Sequence, residues 1–382
     1  MKILDEQKIK NKIENRINED IASGRVGGAS VIVKQEGKVV YQNCFGQADN
    51  CKPLTKSAIF RLASLTKPIT TAAILKQVDR GLVSIYDPIE KFIPEFADME
   101  IGALAEGDEI VIVRKATEKI KILNLLNHTS GVGSLELGDK LFTKLLLHEK
   151  VDLQSIANAY AKLPLAFEPG SVTAYSPLIA FDLLARVVEI TSGKAYDQFL
   201  EEELFAPLGM VDTTFVPSAE QWRRMVNLHN FEDGKSSFLP LDKHHTMSDL
   251  PLTYFCGGAS LVSTIGDYSR FAEMLLADGK TENGTQLISR ELIKKMQTPS
   301  LSEQIMPGPQ KWGLGVRVIT GADYVRLPIG SFGWSGAYGA HMWVDPENQI
   351  TAVYMKNSLY DGGAGSVTSR QFEKNVFDSL GE

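Results

Sequence analysis

Cysteine is scarce in this chain of 382 residues, which carries only Cys44, Cys51 and Cys256. No two of them form a CxxC pair, so zinc ribbons and thioredoxin-type redox chemistry have no support, and three scattered thiols cannot build a disulfide framework. Cys44 and Cys51 are spaced for a bridge but read instead as ordinary buried or half-buried thiols. No run approaches the ~20 apolar residues of a membrane span. The opening MKILDEQKIKNKIENRINEDIASG lacks the apolar core of a signal peptide. A cytoplasmic protein is the expectation, with an exported protein whose signal has been removed as the alternative. Positive charge is not in excess: 40 Lys+Arg against 47 Asp+Glu give a formal charge of −7. Such a chain lacks the broad basic field that nucleic-acid binding needs. The six histidines contain no His-Glu-x-x-His. His244 and His245 are adjacent and in a strand would face opposite sides, so no catalytic metal is expected. With no Gly-x-Gly-x-x-Gly and no Walker loop, no cofactor is expected either.

What is present is ordinary globular material, 43% apolar and 23% charged. At roughly 150 residues per domain the length suggests about two domains. Ile9, Ile13, Ile17 and Ile21 recur every four residues and predict an amphipathic helix ending near Gly24. Ala29–Lys34 and Lys38–Asn43 flank Glu36-Gly37 as a β-hairpin, with Val31, Val33, Val39 and Tyr41 among its strand residues. A helix follows from Pro68 to about Arg80, closed by Gly81.

From about Tyr86 to about Pro217 the chain reads as mostly helical, with Ile120–Leu126, Asp152–Leu163 and Leu178–Ser192 as examples. Ala105–Lys121 is charged and strand-like at Ile110–Val113, a local hairpin. Beyond Tyr254 come a helix over Ile265–Asp278 and strands over Trp312–Ile319, Gly339–Val344 and Ile350–Met355. The last two strands flank the turn Asp345-Pro346-Glu347-Asn348. A final helix is expected over Arg370–Leu380. Strands at both ends with helices between predict an α+β fold: one antiparallel sheet built from both chain ends, flanked by helices, with a mainly helical domain inserted. The sheet domain takes residues 1–85 and 218–382, and the helical domain residues 86–217.

Chemistry enters at Phe60-Arg61-Leu62-Ala63-Ser64-Leu65-Thr66-Lys67-Pro68, which holds the single Ser-x-x-Lys of the chain. Pro68 belongs in a first helical turn, which puts Ser64 at the helix start and Lys67 on the same face. A serine hydroxyl needs a base to become a nucleophile, and a desolvated lysine amine can serve. The helix start also offers unpaired N–H groups to developing negative charge. Taken alone, the motif better fits an N-cap serine beside a solvated lysine.

Three more segments bear on it. Phe167-Glu168-Pro169-Gly170-Ser171-Val172-Thr173-Ala174-Tyr175-Ser176 delivers a tyrosine able to pass protons just before a helix. Ser331-Phe332-Gly333-Trp334-Ser335-Gly336-Ala337-Tyr338-Gly339 is a Gly-flanked strand edge that lets a substrate approach the backbone. There the N–H of Ala337 could join that of Ser64 as an oxyanion hole. Leu125-Leu126-Asn127-His128-Thr129-Ser130-Gly131 reads as a structural helix end with capping residues.

Together these segments resemble the serine β-lactamase/penicillin-binding protein superfamily, in the class C-like branch of β-lactamases, D-alanyl-D-alanine peptidases and family VIII carboxylesterases. The likeness runs from about Gly28 to about Phe377. It takes in Tyr86-Asp87-Pro88-Ile89, Pro94-Glu95-Phe96, Gly257–Thr264 and Gly313-Leu314-Gly315 besides the segments above. The resemblance implies a β-lactamase/transpeptidase-like fold, with Ser64 as nucleophile, Lys67 as the neighbouring base and Tyr175 as the catalytic tyrosine. It places Trp334, Ser335 and Gly336 at the substrate-binding Lys-Thr/Ser-Gly strand.

Two departures carry information. The family's Tyr-x-Asn is Tyr175-Ser176-Pro177 here, and Pro177 has neither an amide side chain nor an N–H. Trp334 stands where β-lactamases and peptidases carry a lysine that matches a substrate carboxylate. Both changes remove recognition of an anionic amide and leave Ser64, Lys67 and Tyr175 in place. Ester-hydrolysing members resemble this chain in the strand Trp and in the Lys-Pro pair. The expectation is a carboxylesterase on small neutral esters, working through an acyl-enzyme. A class C-like β-lactamase or D-alanyl-D-alanine carboxypeptidase is the second reading, and a non-catalytic binding protein on the same scaffold the third. The partner is a small ester or β-lactam-like molecule, and the oligomeric state is not legible. A Ser-His-Asp hydrolase is disfavoured, because Gly333-Trp334-Ser335-Gly336-Ala337 fails the Gly-x-Ser-x-Gly pattern and sits on a strand.

Overall fold

Ile9, Ile13 and Ile17 form the buried stripe of the first helix, α1 (Glu6–Ala22), which starts where Asp5 accepts the N–H of Lys8. The computed structural model describes residues 1–106, 109–138, 151–240, 252–322 and 327–381. The pair His244 and His245 lies outside them.

After α1 come β1 (Gly28–Gln35), β2 (Lys38–Gly46), β3 (Ile59–Arg61) and α2 (Thr66–Asp79). The hairpin β4 (Glu100–Leu104) and β5 (Ile110–Lys115) follows; β5 covers the strand expected at Ile110–Val113, while β4 lies before the Ala105–Lys121 segment in which the sequence predicts the hairpin. Next are α3 (Ile122–Leu126), α4 (Leu153–Tyr160), α5 (Ile179–Ser192), α6 (Tyr196–Leu200) and α7 (Ala219–Arg224). The hairpin β6 (His229–Glu232) and β7 (Lys235–Phe238) leads to β8 (Val262–Thr264), α8 (Ile265–Leu276) and α9 (Arg290–Met296). The chain closes with β9 (Gln310–Trp312), β10 (Arg317–Ile319), β11 (Phe332–Ser335), β12 (His341–Asp345), β13 (Ile350–Met355) and α10 (Val367–Phe377).

Seven strands make one antiparallel sheet in the order β2-β1-β13-β12-β11-β10-β9, so the two ends of the chain meet at the β1–β13 pair. A bridge between Leu4 and Leu380 joins the termini again. Alternation along the strands sends side chains to opposite faces. Val31, Val33, Trp343 and Tyr354 pack with Ile9, Ile13, Ile17, Phe372 and Val376 of α1 and α10. On the other face Ile32, Trp334, Met342, Val353 and Met355 join a core that continues through α2 and α8 into α5. Helix α2 is buried from Thr66 to Gln77 and runs between sheet and helices, so it shows no polar face. This is the α+β arrangement expected, an antiparallel sheet flanked by helices. No helix among the described residues is long and apolar enough to cross a membrane.

Three local expectations change. Residues 312–319 are not one strand: the chain turns back between β9 and β10, with Gly315 at φ +65°. A Cβ there would lie 2.0 Å from the Thr71 hydroxyl, so glycine is required at this reversal. The last helix begins at Val367, because Ser366 caps it by accepting the Ser369 N–H. All three cysteines are free, and Cys51 is exposed rather than half-buried.

Candidate active site

Ser64 sits in a 3-10 turn, Ala63–Leu65, that runs straight into α2, with Pro68 in the helix's first turn. Strand pairing fixes this turn from behind. β3 pairs with β8, Leu62 donates its N–H to Leu261, and the Tyr268 hydroxyl donates to the Leu65 carbonyl at 2.7 Å. Ala63 has φ +46°, a left-handed conformation costing an L-residue roughly 1–2 kcal/mol. Such strain beside Ser64 persists because the surrounding contacts over-determine it.

Lys67 is fully buried, and its Nζ reaches three oxygens. These are the carbonyl of Pro177 at 2.5 Å, the carbonyl of Gly258 at 2.9 Å and Ser64 Oγ at 3.2 Å. Two N–H bonds go to the carbonyls, and the third tetrahedral position points at Ser64. An ammonium directs a proton there, whereas a neutral amine directs its lone pair there. The main-chain carbonyl of Pro177 thus holds the lysine, the task that the resemblance assigns to an asparagine side chain at this position.

The Tyr175 hydroxyl lies 2.9 Å from Ser64 Oγ. The turn before it is anchored by Glu168, whose carboxylate accepts the N–H groups of Thr117 and Glu118 and pairs with Arg114. Partial burial raises that carboxyl, but these bonds win and pull it down to about 2. The indole N–H of Trp334 donates to the Tyr175 oxygen at 3.3 Å. Trp312 completes an aromatic wall, 4.6 Å from the Trp334 ring and 6.1 Å from that of Tyr175, centroid to centroid.

The end of β11 closes on the turn that carries Ser64. A Cβ at Gly336 would sit 2.1 Å from the Leu62 carbonyl oxygen, so only glycine permits this approach. Among the described residues, neither the N–H of Ser64 nor that of Ala337 has a partner within the chain. Two free donors at a helix start and a strand end suit a developing oxyanion. Ser335 is turned the other way. Its hydroxyl pairs with Nδ1 of His341 at 2.8 Å on the α10 face of the sheet, so the strand presents backbone, not a side chain, at that position.

Behind Lys67, Asp182 is fully buried and accepts from the Tyr254 hydroxyl. Burial pushes its carboxyl up to about 6, against the Tyr254 and Cys256 bonds and the Lys67 charge. The Cys256 thiol is pushed well up by burial and by Asp182, which leaves it unreactive.

Of the residues read from the sequence, Ser64, Lys67, Tyr175, Trp334, Gly336 and Ala337 come together here, while the Ser335 side chain does not. Sequence reasoning missed Trp312, which belongs to no motif, and the carbonyls of Pro177 and Gly258, which have no side-chain signature. The assembled groups can deprotonate a hydroxyl, stabilise an oxyanion and return a proton to a leaving group.

Residues 13–372 match the Beta-lactamase family. The esterase EstB of Burkholderia gladioli is 29% identical over 393 residues, covering 96% of this chain and 94% of that one. The D-alanyl-D-alanine-carboxypeptidase/endopeptidase AmpH of Escherichia coli (strain K12) is 29% identical over 337 residues, covering 86% and 79%. Among solved structures, EstCE1, a hydrolase with promiscuous acyltransferase activity, superposes with a TM-score of 0.81 at 23% identity, covering 97% of this chain and 99% of that one. Because the family match runs through nearly the whole chain and every segment that builds the site, this chain belongs to the Beta-lactamase family and has the fold of its hydrolases.

Proposed function

We propose that the protein is a carboxylesterase acting on small neutral esters through an acyl-enzyme on Ser64. The observation that carries the reading is the Trp334 indole N–H on the Tyr175 oxygen. A neutral, apolar group fills the place where β-lactamases and peptidases carry a lysine, while Ser64 keeps both Lys67 and Tyr175 within hydrogen-bond reach. The aromatic wall of Trp312 and Trp334 favours an uncharged substrate over a carboxylate.

In the first step Ser64 Oγ attacks the ester carbonyl carbon, and its proton passes to the Lys67–Tyr175 pair. The carbonyl oxygen takes the negative charge between the N–H groups of Ser64 and Ala337. As the tetrahedral adduct collapses, Tyr175 gives a proton to the departing alkoxide, and an alcohol leaves. Water then attacks the acyl carbon and yields a proton to the same pair. Ser64 regains its proton as the carboxylic acid departs, and the cycle closes with no net change in the enzyme. An ester suits this site because an alkoxide leaves more readily than an unprotonated amine.

EstB supports the ester reading and AmpH a carboxypeptidase reading. Wild type and Ser64→Ala assayed on short p-nitrophenyl esters, a chromogenic cephalosporin and a D-alanyl-D-alanine peptide decide between them. Ester turnover that vanishes in Ser64→Ala, with little action on the other two, is the expected result. Cephalosporin or peptide turnover transfers the assignment to those branches. Silence in every arm makes the protein a binding module on this scaffold.

A further inference from the structure

Residues 125–131 read from the sequence as a structural helix end, yet His128 within them grips the candidate catalytic tyrosine from both sides. Its main-chain carbonyl accepts the N–H of Ala174 at 3.0 Å. Its Nδ1 accepts the N–H of Ser176 at 3.2 Å. The residues before and after Tyr175 are therefore both bonded to one histidine. The imidazole also lies against the Tyr175 ring at 4.6 Å between centroids, with Trp312 at 4.5 Å and Phe181 at 5.5 Å. His128 itself is held at φ +58°, in the left-handed region that residues other than glycine visit uncommonly, histidine more often than most.

The hydrogen bond fixes the tautomer. Nδ1 accepts a backbone N–H, so its lone pair is there and the ring proton is on Nε2. Burial, reinforced by the nearby Lys67 charge, keeps the ring neutral by holding its pKa well below the usual value. A second proton on Nδ1 would also meet the Ser176 N–H head on. Nε2 is buried with no hydrogen-bond partner among the described residues. Leaving a donor unpaired is costly, and an apolar side chain would fill this aromatic niche without that cost. What an apolar side chain cannot supply is the acceptor for Ser176.

We infer that His128 is a positioning residue for Tyr175, whose clasp on Ala174 and Ser176 and tilted packing against the phenol ring hold the tyrosine hydroxyl on Ser64 Oγ. This rests on the reading of Tyr175 as the proton carrier. Among the described residues His128 makes no hydrogen bond to Ser64, so its effect runs through Tyr175.

The test is a double-mutant cycle on p-nitrophenyl acetate with His128→Asn, His128→Gln and Tyr175→Phe, alone and combined. Asparagine tolerates φ > 0 and puts its Oδ1 near the place of Nδ1, whereas glutamine extends past it. Melting temperatures are recorded for all variants, and rates are taken well below the lowest. His128→Gln should lower kcat about tenfold with KM within about twofold, and His128→Asn should stay within about threefold of wild type. On the Tyr175→Phe background His128→Gln should change kcat less than about twofold, because its effect runs through the missing hydroxyl. Equal losses in Asn and Gln, or the same Gln loss with and without the Tyr175 hydroxyl, overturn the proposal. Wild-type turnover by Tyr175→Phe instead removes the role of Tyr175 itself, and with it any purpose for the clasp.

Discussion

Trp334 and Tyr175 are joined at the candidate active site: the indole N–H of Trp334 donates to the same phenolic oxygen that faces Ser64 Oγ. Their rings are tilted with centroids 5.6 Å apart, so the contact combines a hydrogen bond with aromatic packing. In the proposed mechanism the proton of Ser64 passes through the group that carries this oxygen. The strand tryptophan therefore bears on proton transfer as well as on the shape of the site.

Trp334→Phe keeps the wall and removes the donor. One neutral hydrogen bond is worth about 1 kcal/mol, so kcat on a short p-nitrophenyl ester should fall about fivefold with KM little changed. Trp334→Lys restores a donor but puts a cation where the apolar surface was. It should raise KM for neutral esters and improve turnover of esters whose acyl part bears a carboxylate. Unchanged kinetics of both variants on both substrate types would remove Trp334 from the site.

Much of this was legible in sequence because it rests on periodicity or on a side-chain motif. The four-residue spacing of Ile9, Ile13 and Ile17 gives α1 directly, and the alternation around Glu36-Gly37 gives the β1–β2 hairpin. The reversal at Gly315 was hidden because Trp312, Leu314, Val316 and Val318 alternate as a single strand would, while the turn depends on a distant neighbour, Thr71. The direction of Ser335 follows from strand alternation once Trp334 is known to face α2. That choice of face depends on packing against α1 and α10, which no local pattern states. The carbonyl of Pro177 was invisible because a backbone acceptor is the same for every residue type.

Gly336→Ala tests the approach of β11 to the Ser64 turn. The added Cβ would meet the Leu62 carbonyl at 2.1 Å, and backbone cannot yield as a flexible side chain can. The strand end must retreat, which moves Ala337 relative to Ser64. A shift of about 1 Å at such a site costs on the order of 100-fold, so esterase kcat should fall by about that factor. Circular dichroism and melting would show the fold retained. Near-wild-type turnover would mean that Ala337 takes no part in the oxyanion contact.

Glu373 of α10 is buried against Arg317, with Nε2 of His341 3.1 Å away. Burial alone would raise its carboxyl, but Arg317 and His341 overcome that and hold it at about 2, below the ordinary 4.5. A depressed folded pKa means a contribution that is fully present above about pH 4.5 and lost as pH falls toward about 2. Glu373→Gln leaves Arg317 buried without its counter-charge, at a cost of about 3–5 kcal/mol at neutral pH. The gap in melting temperature between wild type and variant should hold steady from about pH 7 to 4.5 and narrow below that. A gap independent of pH down to about 2.5 would show that Glu373 is not the charged partner.

Lys356 carries the opposite charge, and its folded pKa is likewise depressed. It lies fully buried behind the turn that carries Ala337, its stem packed against Gly339, and Nζ donates to the carbonyls of Tyr360 at 3.1 Å and Asp361 at 2.9 Å. Burial lowers its pKa to about 8 from 10.5, with Asp361 only partly offsetting the loss of solvation. Between those values the folded lysine has released a proton that the unfolded chain still binds, so this group makes stability rise with pH across that window. Below about pH 8 the penalty of the buried ammonium is constant. Lys356→Met fills similar space and has nothing to titrate. Melting curves at about pH 7, 9 and 10.5 should show wild type gaining on the Met variant as pH rises, by an amount that levels off near the top of the range. If the difference stays flat from about pH 7 to 10.5, the lysine is neutral or well solvated throughout, and the carbonyls of Tyr360 and Asp361 are not holding a charge behind the turn that carries Ala337.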